Sequence, residues 1–341
     1  MLAAVFKSRG VLQIEDRPEP GNLTEDEVLL EVEGCGVCGT DLHILSDPPG
    51  HPATEGVILG HEIVARIIDK GANVREFASG TRVLVDANLK CGLCAACRKG
   101  KSNHCKNWTT IGIFLDGGFT RFVKAPQKAL HPIRDDIPLP EAVWGEILSC
   151  ALGSTDRIRI QPGEVAVVIG AGPAGMMHTM LFDAAGAQVV LSDVSNERLE
   201  FARSAGIKQT LNPKDTNLRD YVSDLTAGEG ADAIVDAVGN QFATCLDLVA
   251  RGGTISLFGM NTQARAAIPQ CDLTRKEATV VGSYVGRNTF PRSIAVLESR
   301  VLSLSGLVSH DVPVAELPDA IQAARQGKAM KILVRPEEKI A

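Results

Sequence analysis

Aromatic residues are scarce: two tryptophans, two tyrosines and ten phenylalanines make up 4% of 341 residues. A wide platform of rings on which sugars or bases could stack is therefore not expected. Positive charge is also short. There are 35 lysines and arginines against 41 acidic residues, a formal net charge of −6. With no global attraction to phosphate backbones, no nucleic-acid partner is expected. No apolar run approaches the roughly 18 residues of a membrane span. The opening "MLAAVFKSRG" is too short an apolar run for a secretory leader. The expected setting is the cytoplasm, with no membrane partner. The nine cysteines are an odd number and fit a fully paired disulfide framework poorly. In a reducing compartment they point to metal binding or catalysis.

What is present is the composition of an ordinary globular protein, 45% apolar and 22% charged, with length enough for two domains. Two textures follow one another. Up to about residue 150, short β-branched runs such as "EVLLEVEGCGV", "HEIVARIID" and "TRVLVDA" are punctuated by glycine and proline, which predicts a mostly antiparallel β domain. From about 163, the apolar strands "EVAVVIGAG", "AQVVLSD", "ADAIVDAVG", "GGTISLFG" and "TVVGSYV" alternate with amphipathic stretches such as "NERLEFARSAG" and "QFATCLDLVAR". That alternation predicts a parallel sheet with helices on both faces. The end of the chain adds a helical stretch, "PRSIAVLESRVLSL", and a strand, "MKILVRP".

"VAVVIGAGPAG" runs a strand into Gly170-x-Gly172-x-x-Gly175, with Pro173 and Ala174 between the last two glycines. The context is that of a dinucleotide site. Gly170 allows the tight turn, Gly172 the approach of a pyrophosphate, and Gly175 the close packing of the helix. The free N–H groups of the helix N-terminus then face the phosphates. The next strand leads to Asp193, whose carboxylate can accept from both adenosine ribose hydroxyls and repels a 2′-phosphate. NAD is favoured over NADP, although Arg198 stands where it can accommodate the phosphate. Ligands of such sheets sit beyond the carboxyl ends of the strands. Ala237, Val238 and Gly239, and then Phe258, Gly259 and Met260, are accordingly expected against the nicotinamide end.

Cys91, Cys94, Cys97 and Cys105 fall in "CGLCAACRKGKSNHC". Tetrahedral zinc takes four thiolates, and short spacings let one loop wrap it. The intervening residues are too polar for a core, so metal would hold this lobe together, while Arg98, Lys99 and Lys101 offset its negative charge. With every position filled by protein, the role is structural. A second set is more dispersed: Cys38 in "GCGVCGTDLHI", and His61 and Glu62 in "GHE". Ligands from separated segments suggest a metal held by the fold with one position left open.

Taken together, "GVCGTDLH", "GHE", the cysteine lobe, "DGGFTRFV", "EILSCALG" and "VVIGAGPAG" resemble the medium-chain zinc-dependent alcohol and polyol dehydrogenases over nearly the whole chain. The resemblance implies an α/β architecture: a Rossmann doubly wound parallel sheet over 154–287, inserted into a mostly β GroES-like catalytic domain. That domain spans 1–153 and 288–341, with its structural zinc lobe at 88–108. It implies two zinc ions per chain, one structural and one catalytic. Cys38 and His61 would be catalytic ligands, and Glu62 a ligand or a carboxylate just behind. The remaining ligand is Glu146, as in the polyol and threonine branches, or Cys150, as in the alcohol branch; Glu146 is preferred. Thr40 would take the substrate proton first, the nicotinamide ribose relay it, and His43 hand it to solvent.

The expected reaction is reversible hydride transfer between NAD and a secondary alcohol or a sugar-alcohol-like or cyclitol-like polyol. The alternatives are L-threonine 3-dehydrogenase and, in another class, a non-catalytic zinc- and nucleotide-binding structural protein. Family likeness also implies a homodimer or homotetramer. His51, Trp108, Phe114, Tyr284 and Arg287 are possible pocket residues, with no order assigned among them.

Overall fold

The structure is a computed structural model that describes residues 1–336; residues 337–341 of the expected 288–341 segment lie outside it. The chain divides into two units. One comprises Met1–Ile147, Phe290–Ser299 and Leu307–Ala341; the other comprises Leu148–Thr289 and Arg300–Gly306.

The first unit is built on a seven-stranded sheet. Its order is Val308–Pro313, Lys331–Arg335, Glu27–Gly36, Glu62–Lys70, Arg82–Val85 and Leu130–Pro132, with Phe122–Pro126 also paired to Glu27–Gly36. All pairs are antiparallel except the first. Strand Glu27–Gly36 shows why it forms: Val28, Leu30 and Val32 are buried, while Glu27, Leu29, Glu31 and Glu33 alternate with them at half-buried positions, following the two-residue period of a strand. Glu31 meets Arg121, and Glu33 bridges Arg66 and Arg82. The apolar side joins a core with Phe6, Ile63, Ile67, Val83, Phe119 and Leu333's neighbours Ile332 and Val334.

Register in this sheet decides what meets at the site. Gly36 pairs with Glu62 on one side and with Leu333 on the other. A Cβ at residue 36 would stand 2.0 Å from Glu62 Oε2 and 2.9 Å from Lys331 Cε, so glycine leaves those two side-chain ends where they are.

The second unit holds a six-stranded parallel sheet in the order Gln209–Leu211, Gln188–Ser192, Val165–Ile169, Ala231–Asp236, Val249–Leu257 and Thr279–Gly282. This is the doubly wound arrangement expected from the alternating strands and helices. Val165–Ile169 is buried along its full length, as a strand covered on both faces must be. The order of strands along the chain reverses between Val165–Ile169 and Ala231–Asp236, the kind of switch point at which ligands of such sheets bind beyond the carboxyl ends.

Two details depart from the sequence reading. Strand Gln209–Leu211 was not foreseen, because three residues are too few to show a period. The helix expected over "PRSIAVLESRVLSL" stops at Ser299, where Arg300 turns left-handed with φ 54°. Among the described residues, no helix is long and apolar enough to cross a membrane.

Candidate active site

The cysteine lobe closes as its spacing predicts. The sulfurs of Cys91, Cys94, Cys97 and Cys105 all lie within 4.8 Å of one another. Cys94 Sγ is 3.6 Å from Cys97 Sγ and 4.0 Å from Cys105 Sγ, and Cys105 Sγ is 3.5 Å from Cys91 Sγ. Four sulfurs bonded to one zinc at about 2.3 Å stand about 3.8 Å apart in a tetrahedron, so the lobe fits the ion. None of the cysteines is in a disulfide. Backbone amides already favour thiolate: the N–H of Cys94 donates to Cys91 Sγ at 3.4 Å, and that of Cys91 to Cys105 Sγ at 3.3 Å. Amides from Cys97 and Lys106 bring Cys94 down to about 6.

The dispersed set is assembled by the paired strands Glu27–Gly36 and Glu62–Lys70. Cys38 follows the first strand and caps helix Gly39–Ile44, while His61 immediately precedes the second. Asp41, fully buried in that helix, accepts from the Cys38 amide at 2.9 Å and places Oδ1 3.6 Å from His61 Nδ1. Burial works against a charged His61, but Asp41, then Cys38 and Glu146, outweigh it and raise its pKa well above the usual value. Asp41 Oδ1 faces Nδ1 from 3.6 Å without a hydrogen bond to it; with a carboxylate on that side, Nε2 is the nitrogen assigned to a metal. Cys38, His61, Glu62 and Glu146 do not close to the 4.8 Å mutual spacing of the cysteine lobe. Even so, a thiol, an imidazole and a carboxylate that act electrostatically on one another, in a site where His61 Nδ1 and Glu62 Oε1 find no hydrogen-bond partner, are a donor set that suits zinc.

Glu62 is turned to Lys331: Nζ contacts Oε2, with both side chains at most 1% exposed. The same ammonium lies 5.2 Å from the centre of the Trp144 ring. Glu146 sits in the first turn of helix Gly145–Thr155, buried, with Cys150 buried one turn on. Thr40 Oγ1 is 3.6 Å from Cys38 Sγ. His43 is exposed in the same short helix, and the protein around it still lowers its pKa by desolvation, which keeps the ring neutral near pH 7.

In the second unit, Gly172 caps helix Pro173–Ala184, which begins Pro173, Ala174, Gly175. A Cβ on Gly175 would stand 1.7 Å from Gly170 O, so the helix rests directly on the turn and leaves its N-terminus bare for a pyrophosphate. Asp193 is buried beside this loop. Its Oδ2 accepts from Ala171 N at 2.6 Å, its Oδ1 from Ser195 N at 2.8 Å, and Arg198 Nη1 lies 3.8 Å away. These features fit a dinucleotide.

Beyond the next strands, Ala237 N donates to Ile169 O. Val238 and Met260 are exposed, whereas Phe258 sets its ring on the edge of buried His178, 4.6 Å between centres. Gly239, Gly259 and Met260 line a cavity of about 420 Å³ that Asp236 also borders.

Sequence reasoning passed over three residues. Asp41 sets its carboxylate 3.6 Å from His61 Nδ1 and acts on its charge. Lys331 neutralises Glu62 from 269 positions away. Asp236 ties the 237–241 turn by accepting from Val238, Gly239 and Gln241 amides at 3.0, 2.7 and 2.8 Å. Only Asp41 had a local signal, as an acidic residue three places after a helix cap.

Two family profiles match the chain. One, described as Zinc-binding dehydrogenase, covers residues 173–299; the other, Alcohol dehydrogenase GroES-like domain, covers residues 24–135. The D-arabinitol dehydrogenase 1 of Uromyces fabae is 32% identical, over 92% of this chain and 91% of that protein. The L-threonine 3-dehydrogenase of Xanthomonas axonopodis pv. citri (strain 306) is 32% identical, over 93% of each. Among solved structures, a zinc-binding dehydrogenase from Sinorhizobium meliloti 1021 bound to NADP superposes with a TM-score of 0.92. It is 28% identical and covers 98% of this chain and 99% of that one.

Proposed function

The chain belongs to the zinc-dependent medium-chain alcohol and polyol dehydrogenases, and from that premise we propose that it moves hydride between a secondary alcohol or polyol and NAD. The observation that carries this reading is the Asp41–His61–Cys38 arrangement, with Glu146 acting on the same imidazole. When bound, zinc supplies Lewis acidity to a substrate hydroxyl and the nicotinamide accepts hydride.

The chain's own residues do the rest. Cys38, His61 Nε2 and Glu146 hold the metal, with Cys150 as the alternative to Glu146. Asp41 fixes the His61 ring. Glu62, already neutralised by Lys331, stays behind as a carboxylate of the surroundings. Thr40 Oγ1 would take the hydroxyl proton while passing its own on along the relay, and His43, exposed and neutral, would receive the relayed proton and release it to water. Cys91, Cys94, Cys97 and Cys105 hold the structural ion.

Gly170, Gly172, Pro173, Ala174 and Gly175 take the pyrophosphate, and Asp193 the adenosine ribose. The turns at Ala237–Val238–Gly239 and Phe258–Gly259–Met260 take the nicotinamide end, although the inward ring of Phe258 leaves only its backbone for the purpose. Negative charge at Asp193 favours NAD. Arg198, 3.8 Å off, tempers that preference, and the Sinorhizobium relative was solved with NADP. A homodimer or homotetramer in the cytoplasm, acting on small molecules, completes the reading.

A steady-state panel of polyols, cyclitols, simple secondary alcohols and threonine, each with NAD and with NADP, tests it. Turnover of polyols with NAD is expected. Threonine as the only good substrate would replace the polyol reading with that of the Xanthomonas relative. No turnover on any alcohol would leave a structural zinc and nucleotide binder.

A further inference from the structure

The stretch "DGGFTRFV" supplies neither a metal ligand nor a cofactor contact, yet its first residues lie against one peptide of the site. That peptide is Gly60–His61. Gly117 N donates to Ile58 O at 2.8 Å, Gly118 N to Gly60 O at 2.8 Å and Phe119 N to Leu59 O at 3.0 Å. The loop ahead of them is closed by Gly112 N, which donates to Leu115 O at 2.7 Å. It is tied back by Asp116 Oδ1, which accepts from Ile58 N at 2.9 Å.

Two glycines make the fit possible. A Cβ on Gly112 would stand 2.1 Å from Gly60 O, 2.4 Å from Gly60 C and 2.9 Å from His61 N, and one on Gly117 would stand 2.3 Å from the same Gly60 oxygen. These neighbours are main-chain atoms, so no side chain can swing aside to make room. Gly112 also has φ 81°, a left-handed backbone that suits glycine. Gly60, His61, Gly112 and Gly117 are all buried. A peptide group is planar, so holding Gly60 O and His61 N holds the plane from which His61 departs toward its ring. The sheet does not supply this hold: the ladder between Glu27–Gly36 and Glu62–Lys70 reaches Glu62, opposite Gly36, and stops short of His61. His61 Nδ1 has no hydrogen-bond partner either.

We propose that Gly112, Asp116 and Gly117 are positioning residues for the catalytic metal, clasping the Gly60–His61 peptide so that the imidazole is aimed before the ion binds. This role rests on the dehydrogenase reading above and deepens it at the metal site. A ligand held in place needs no ordering when the metal arrives, so the clasp contributes to metal affinity as other supports behind a ligand do.

The test measures how tightly the second zinc is held. Zinc-replete protein is titrated with a competing chelator, beside Cys38→Ser as the reference that should carry the lobe ion alone. In Gly112→Ala, which leaves every ligand side chain in the sequence, the second zinc binds at least tenfold more weakly and the lobe ion is retained. Asp116→Ala adds no atoms and releases the loop more mildly; it weakens that zinc about threefold, whereas Asp116→Asn, which keeps an oxygen for Ile58 N, leaves it unchanged. With cobalt in place of zinc, the visible absorption of the site, taken as the difference from Cys38→Ser, shifts in Gly112→Ala; a loss of fold stability alone would not move it. Unchanged zinc affinity in Gly112→Ala, or in Asp116→Ala should the glycine variant not fold, overturns the inference. So does an Asp116→Asn as weak as Asp116→Ala. Either result leaves the dehydrogenase reading intact. A wild type without a second zinc overturns the reading, and the inference with it.

Discussion

Lys331 and Glu62 form an ion pair sealed from solvent, 269 residues apart in the chain. Gly36 lies between their strands without a side chain, and a Cβ there would fall 2.0 Å from Glu62 Oε2. Attraction between two such charges in a dry interior roughly offsets the cost of desolvating them, whereas a single charge left behind has nothing to offset its cost. Lys331→Met should therefore lower the unfolding free energy by about 3–5 kcal/mol, read from urea denaturation. The double variant Lys331→Met/Glu62→Gln should recover most of the loss. If the single variant is as stable as the wild type, the two groups are not a buried charged pair.

His178 gives the fold a pH dependence independent of any metal. Burial pushes its pKa down to about 4, against an ordinary value of 6.5, even though Nδ1–H donates to Ala174 O at 2.8 Å. Between those values the unfolded chain binds the extra proton and the folded chain does not. Stability is therefore fully present above about pH 6.5 and is lost as pH falls toward 4, by about 3 kcal/mol in all. In His178→Leu, denaturation followed across that window should show a shallower fall, even if the variant is weaker at neutral pH. Equal slopes for the two proteins would place the proton elsewhere.

The glycine turn carries its own expectation. Gly175→Ala forces a methyl into Gly170 O, 1.7 Å away on the present backbone, so helix and turn must part. Binding of NADH, followed by its fluorescence without substrate, should weaken at least tenfold, while the zinc content of the cysteine lobe stays as it is. Unaltered affinity would mean that the cofactor does not lie on this turn.

How much of this was readable beforehand follows from sequence separation. Cys91 to Cys105 and Gly170 to Gly175 announce themselves because the chemistry is local: one loop wraps a metal, one turn meets a helix. The alternation of Val28, Leu30 and Val32 made the strand Glu27–Gly36 legible for the same reason. Lys331 looked like an ordinary residue of "MKILVRP", because its partner is brought to it only by the register of the sheet. His51 could be named but not placed, since its position depends on a bond to Pro52 O and on the pinning of 50–54 to His43 and Ile113. The end of the last long helix at Ser299 was hidden too, as a left-handed arginine leaves no compositional trace.

The most direct test of the whole account is a zinc count on fully active protein, beside Cys94→Ser and Cys38→Ser. The account predicts one ion in the cysteine lobe and a second that disappears in Cys38→Ser. Turnover of a secondary alcohol should then fall about 10³-fold or more while the lobe keeps its ion. A wild type that turns over such an alcohol at full rate with zinc only in the lobe would contradict it.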